Sequence, residues 1–179
     1  MAQNSKSKGS QFERDVCRKL SLWVTNGKRK DCFWRAAMSG GRATVARKRG
    51  ESVRQSGDIT AVALEGRVLD DFYIECKFYK DLALESFFLH GKGKLAEFWR
   101  VAVREAASHS KTPWLIAKQN NRPALLVTAE GLNSHFDPLS PTCIANVDNT
   151  FCEIWLFDAV VATSWQHRAK GNGTSRVRL

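Results

Sequence analysis

Phe72-Tyr73-Ile74-Glu75-Cys76-Lys77-Phe78-Tyr79 reads as an apolar strand interrupted by two opposite charges. Side chains alternate between the faces of a strand, so Ile74, Cys76 and Phe78 point one way and Tyr73, Glu75 and Lys77 the other. A carboxylate and an ammonium therefore share a face. Upstream, Gly57-Asp58 leads into a second strand-like run, Ile59-Thr60-Ala61-Val62-Ala63-Leu64, and Glu65-Gly66-Arg67 supplies a polar turn between the two. This spacing predicts an antiparallel hairpin, with the start of the first strand beside the end of the second and Asp58 close to Glu75 and Lys77. Two converging carboxylates repel unless a counter-charge intervenes. A hard divalent cation with oxygen ligands supplies one, and Mg2+ is the first candidate.

The composition narrows the partners. The chain has 179 residues, 43% of them hydrophobic, with six Trp and ten Phe, enough for one domain with a packed core. A net charge of +10 points to a polyanionic partner, nucleic acid first and an anionic membrane surface second. Lys6 and Lys8 are followed by no apolar core, so no secretory signal is expected, and no run is long enough to span a bilayer. A cytoplasmic location without membrane attachment follows as the expectation. Cys17, Cys32, Cys76, Cys143 and Cys152 form no Cys-x-x-Cys pair, which argues against a disulfide framework or a zinc ribbon. Gly91-Lys92-Gly93-Lys94 lacks the remaining spacing of a nucleotide-binding loop, so no nucleotide cofactor is expected.

Taken in order, residues 1–9 read as a flexible basic leader, 10–165 as a single domain and 166–179 as a flexible basic tail. Ser10-Gln11-Phe12-Glu13 has the pattern of a helix-capping box, and Phe12, Val16, Leu20 and Trp23 follow at helical spacing until Asn26-Gly27 stops the helix. Glu13 lies beside that apolar face, where completing the cap is a sufficient role for it. Residues 32–38 read as a strand ending at Ser39-Gly40-Gly41. Residues 42–55 are the most basic part of the chain, and Arg42, Arg47, Lys48, Arg49 and Arg54 suit a loop that clamps a phosphate backbone. Residues 81–90 are apolar with an ambiguous period, a short helix or a dimer contact. Leu95, Phe98, Trp99, Ala102, Val103 and Ala106 form an amphipathic helix ending near Ser108. Strands at 114–118 and 124–128, a further strand or buried segment at 151–157 and a helical turn within 158–165 complete the reading.

Asp58 followed by Glu75-x-Lys77 resembles the signature of the PD-(D/E)XK nuclease superfamily, with Gly57 where that family usually has proline. Lys8-Gly9-Ser10-Gln11-Phe12-Glu13-Arg14 and Arg35-x-x-x-Ser39-Gly40-Gly41 are similar to segments of archaeal-type Holliday-junction resolvases within that superfamily, and a viral relative of these is one form the likeness can take. The resemblance implies an α/β restriction-endonuclease-like core, a mixed central sheet of about five strands flanked by helices. It implies Asp58, Glu75, the Cys76 backbone carbonyl and Glu13 as ligands of Mg2+, with Mn2+ as a substitute, and Lys77 beside them to orient water or stabilise developing charge. Arg35 and Ser39 become candidate DNA contacts. The expected activity is phosphodiester hydrolysis of DNA, branched or four-way, by a homodimer, since paired nicks on opposed strands need two-fold symmetry. A restriction-like or repair endonuclease acting on duplex DNA, and a noncatalytic DNA-binding module, remain the alternatives.

Overall fold

The protein is described by a computed structural model covering residues 5–36, 57–131, 136 and 139–165. Helix α1 (Ser5–Val24) buries Phe12, Val16, Leu20 and Trp23 along one stripe, as their spacing requires. It starts earlier than the capping pattern at Ser10 predicts. Nothing from Ser5 to Gly9 is proline, and one internal glycine costs only about 1 kcal/mol, so the helix runs back through them. Asn26 and Gly27, both at positive φ, close its C-terminus, where the Gly27 N–H donates to the Leu22 carbonyl at 2.7 Å.

Near the end of α1, the fully buried Ser21 hydroxyl donates to the Cys17 carbonyl (2.7 Å) and accepts the backbone N–H groups of Cys32 (3.0 Å) and Phe33 (3.2 Å). This fixes where β1 (Phe33–Arg35) begins. Strand β1 pairs antiparallel with β2 (Ile59–Ala61), Arg35 opposite Ile59 and Phe33 opposite Ala61, in a two-stranded ribbon.

The hairpin expected between residues 59–64 and 72–79 does not form. Residues Leu64–Leu69 wind instead into a 3-10 helix whose Gly66 lies so close to the Cys32 carbonyl that a Cβ would sit 2.8 Å from it. That detour gives the ladder partners of β2 to β1, and Asp58 reaches β3 (Phe72–Tyr79) by one rung, its N–H donating to the Ile74 carbonyl at 2.8 Å.

Strand β3 is the edge of a five-stranded mixed sheet of order β3-β4-β5-β7-β6, where β4 is Thr112–Gln119, β5 Ala124–Ala129, β6 Cys143–Val147 and β7 Thr150–Leu156. Strands β3 and β4 are parallel and the other pairs antiparallel. The expected count of five holds with a different membership: the β1–β2 ribbon stands apart, and β6 and β7 complete the sheet. Parallel neighbours need a crossover, provided by α2 (Leu84–His90) and α3 (Lys94–Ser108). Gly91, at φ 61°, ends α2 against Asn146 of β6, so the lysine–glycine run there is a helix–helix turn.

Both faces of the sheet are covered. On one, α1 and α4 (Phe157–Ala162) enclose Ile74, Cys76, Trp114, Ile116, Leu126, Trp155 and Phe136. On the other, α2 and α3 cover Leu115, Ala117, Leu125, Val127 and Ile154. Among the described residues no helix is long and apolar enough to cross a membrane.

Candidate active site

Strand alternation in β3 places Ile74 and Cys76 in the α1 layer, and Glu75, in register with Leu115 of β4, on the α3 side. Tyr73 stacks on His109 just after α3, and the Lys77 ammonium lies 5.7 Å from the Phe98 ring of α3. The three polar side chains of that face form a ladder: the Tyr73 hydroxyl donates to Glu75 Oε2 (3.3 Å), and Lys77 Nζ is ion-paired with Glu75 Oε1. Tyr73 is a member that sequence reasoning put on the right face without giving it a role.

Asp58 comes from the ribbon. Its Oδ2 accepts the Cys76 N–H at 2.9 Å, so the side chain caps the open edge of β3 between Glu75 and Lys77. In an extended strand the carbonyl of a residue points to the same side as its N–H, so the Cys76 carbonyl also faces that edge. Gly57 makes this approach possible. It has φ 80°, which proline cannot adopt, and a Cβ there would lie 2.5 Å from the Ile74 carbonyl oxygen. The residue that departs from the usual proline is therefore the one this backbone path demands.

The electrostatics are those of a site short of positive charge. Asp58 is 6% exposed and Glu75 9%. Burial, and then the neighbouring Asp58 charge, push the Glu75 carboxyl above the ordinary carboxylate value, against the opposing pull of Lys77 and Tyr73. At Lys77 burial opposes the charge, but the Glu75 carboxylate outweighs it and raises the ammonium's pKa. Burial and Glu75 likewise raise the Tyr73 phenol, which stays a hydrogen-bond donor.

Glu13 lies across the strand, on α1, and its carboxylate is ion-paired with Arg35 of β1. The structure thus brings Asp58, Glu75, Lys77 and the Cys76 carbonyl together and pairs Glu13 with Arg35, and the Glu13 charge reaches the same strand: after burial, Asp58, Cys17, Glu75 and Glu13 all raise the Cys76 thiol. Among the described residues no three His, Cys, Asp or Glu side chains gather around one point. Ser39, Arg42, Arg47, Lys48, Arg49 and Arg54 lie outside the described residues.

A family model described as "Phage putative PDDEXK endonuclease" matches residues 4–154. The chain belongs to this endonuclease family. No curated protein and no solved structure matches it. The matched span runs from α1 into β7, so both halves of the nuclease's candidate site, the ribbon carboxylate and the β3 ladder, fall inside it. The restriction-endonuclease-like architecture expected for such an enzyme agrees with the mixed five-stranded sheet and its flanking helices. The donor set also suits a hard cation: two buried carboxylates and a carbonyl are oxygen ligands only, and a cation would offset both the burial of the Glu75 charge and its repulsion from Asp58, the two causes that raise its carboxyl. Among the residues sequence reasoning missed, Ser21 left no signal, because the Cys32 and Phe33 N–H groups it accepts lie beyond the end of its helix and no hydrophobic pattern marks them.

Proposed function

We propose that this nuclease is a Mg2+-dependent DNA endonuclease that cuts branched DNA, the four-way junction above all, and that it acts as a homodimer. The observation that carries the catalytic reading is the pair of buried carboxylates, Asp58 and Glu75, meeting at one sheet edge from different strands with Lys77 paired beside them. Asp58, Glu75 and the Cys76 carbonyl are the cation's protein ligands, and Mn2+ can replace Mg2+. When bound, the cation makes water a better nucleophile and offsets charge on the in-line transition state. Lys77 orients the attacking water and faces the negative charge that develops on the phosphate oxygens. Tyr73 fixes the plane of the Glu75 carboxylate. Glu13, whose carboxylate the ion pair with Arg35 holds on α1, would serve as a further ligand.

Support for branched DNA is the residue pattern: Glu13 and Arg35, matched separately to the resolvase-like segments, form an ion pair next to the ribbon that carries Asp58. Ser39, Arg42, Arg47, Lys48, Arg49 and Arg54 complete the phosphate contacts in this reading. Symmetric resolution requires two such sites related by a two-fold axis, hence the homodimer.

The test is incubation of wild type and Asp58→Ala with a labelled four-way junction, linear duplex and single-stranded DNA, in Mg2+ and in EDTA. Paired symmetric nicks on the junction, lost in the variant and in EDTA, are expected. Mg2+-dependent cutting of duplex alone would overturn the junction assignment and favour the restriction-like or repair reading. Binding without cleavage under either Mg2+ or Mn2+ would overturn the enzyme assignment in favour of a DNA-binding module.

A further inference from the structure

Between α1 and β1 lies a cleft of about 450 Å3, lined by Arg14, Arg18, Lys30, Phe33, Trp34 and Arg35. Arg14 and Arg18 stand four apart and therefore share a face of α1. Arg35 is ion-paired with Glu13, and Arg14 donates to the neutral side-chain oxygen of Gln11 at 3.1 Å. Among the described residues, Arg14, Arg18 and Lys30 have no carboxylate within ion-pair distance. Three uncompensated cations around one cleft repel one another and favour a polyanion.

Trp34 adds a second kind of recognition. It is 66% exposed, while Trp23, Trp99, Trp114 and Trp155 are buried in the two cores. A large exposed aromatic set among Arg and Lys is how single-stranded nucleic acid is held, the bases stacking and the backbone tracking the charges. The cleft falls within the roughly 300–1,000 Å3 of small-ligand sites, enough for a nucleotide. It also adjoins the site: Arg35 is opposite Ile59 across the ribbon, and the Ala36 N–H donates to the Asp58 carbonyl at 2.8 Å.

We propose that this cleft takes an unpaired DNA nucleotide, its base stacked on Trp34 and its phosphates against Arg14, Arg18 and Lys30, so that the nuclease selects DNA with a single-stranded segment next to the cut. The assignment rests on the DNA-endonuclease reading above and narrows its substrate. A base inside a duplex is covered on both faces and must be unstacked before it can reach Trp34. An unpaired base at a branch or arm avoids that cost.

The experiment uses the full chain in EDTA, where binding is read without cleavage. Fluorescence anisotropy compares a blunt duplex with the same duplex carrying a single-stranded arm, for wild type, Trp34→Ala, Trp34→Phe and Arg18→Ala. Wild type is expected to favour the armed duplex by about tenfold, the scale of one base–aromatic stack. Trp34→Ala should lose that preference while keeping its affinity for the blunt duplex, and Trp34→Phe should recover most of it. Arg18→Ala should weaken armed-duplex binding and reduce its salt slope by about 0.7, one single-strand phosphate contact. Quenching of wild-type tryptophan emission by the arm, absent in Trp34→Ala, reads the stack directly. No arm preference in wild type, or an undiminished one in Trp34→Ala, would overturn the proposal, as would equally tight binding of free deoxynucleoside monophosphate. Cleavage in Mg2+ is scored separately. Cutting without arm preference removes the cleft assignment and keeps the nuclease, and arm preference without cutting does the reverse.

Discussion

The two carboxylates of the candidate site are held by different kinds of structure. Glu75 sits in an eight-residue strand registered against β4 along its full length and covered on both faces. Asp58 precedes a three-residue strand in a two-stranded ribbon, joined to β3 by its own N–H and its own side chain. Short ribbons are marginal alone and draw their stability from what they pack against. The β3 half of the site is thus rigid by construction, and the ribbon half depends on a few anchors: Ser21 at its root, Gly57 at its entry and the Cys76 N–H at its tip. Changes that act on one half should be separable from changes that act on the other.

The largest effect belongs to the rigid half. Lys77→Ala should lower cleavage by about 10²–10³-fold, the scale for removing one charge-stabilising group, with metal affinity retained by isothermal calorimetry. If Lys77→Ala lost metal binding together with activity, the halves would not be independent. Next comes Gly57→Ala. Its Cβ would strike the Ile74 carbonyl at a φ that alanine resists, displacing Asp58 and costing about 1–3 kcal/mol. Metal binding and cleavage should both fall, while far-UV circular dichroism of the main sheet stays that of wild type. Ser21→Ala leaves the Cys32 and Phe33 N–H groups without their shared buried acceptor, so urea denaturation should show a loss of about 1–3 kcal/mol.

The smallest expected effect is a gain. Asp58→Asn keeps an oxygen acceptor for the Cys76 N–H and removes the charge that faces Glu75. Because its pKa is raised in the folded state, Glu75 contributes stability that is complete below its unfolded value. That contribution is lost as pH climbs past the ordinary 4.5 and through the raised folded-state value, so at neutral pH the ionised group costs stability. Asp58→Asn should therefore melt at about 2–4 °C higher than wild type at neutral pH, and the gap should close on acidification. A lower melting temperature for Asp58→Asn across that range would mean that the ribbon needs the charge for its docking.

The same contrast explains what could be read from the chain. The β3 alternation was legible because eight residues with a dominant apolar face leave a period, and it put Tyr73, Glu75 and Lys77 together correctly. Proximity of Asp58 was also legible, but its pairing was not: three-residue strands carry no period, and the 3-10 helix at Leu64–Leu69 looks like an ordinary polar turn. The Glu13–Arg35 ion pair joins residues that only the family likeness singled out. Strand β6 was missed because Cys143-Ile144-Ala145-Asn146-Val147 is short and weakly patterned at a sheet edge. Trp34 passed unremarked inside a strand-like run, since exposure cannot be read from residue type.

One pairing in the sheet bears on how the chain assembles. Strands β4 and β5, and likewise β6 and β7, are hairpin neighbours that can zip within microseconds, whereas β3 must wait for α2 and α3 to bring β4 alongside in parallel. The strand carrying Glu75 and Lys77 is then expected to acquire its hydrogen bonds to β4 after both hairpins have formed. Pulse-labelled hydrogen exchange during refolding should protect the amides of β6 and β7 before those of β3 that face β4, and early protection of β3 would contradict that order. Cutting competence would arise only at the final step of folding, after the scaffold that confines it is complete.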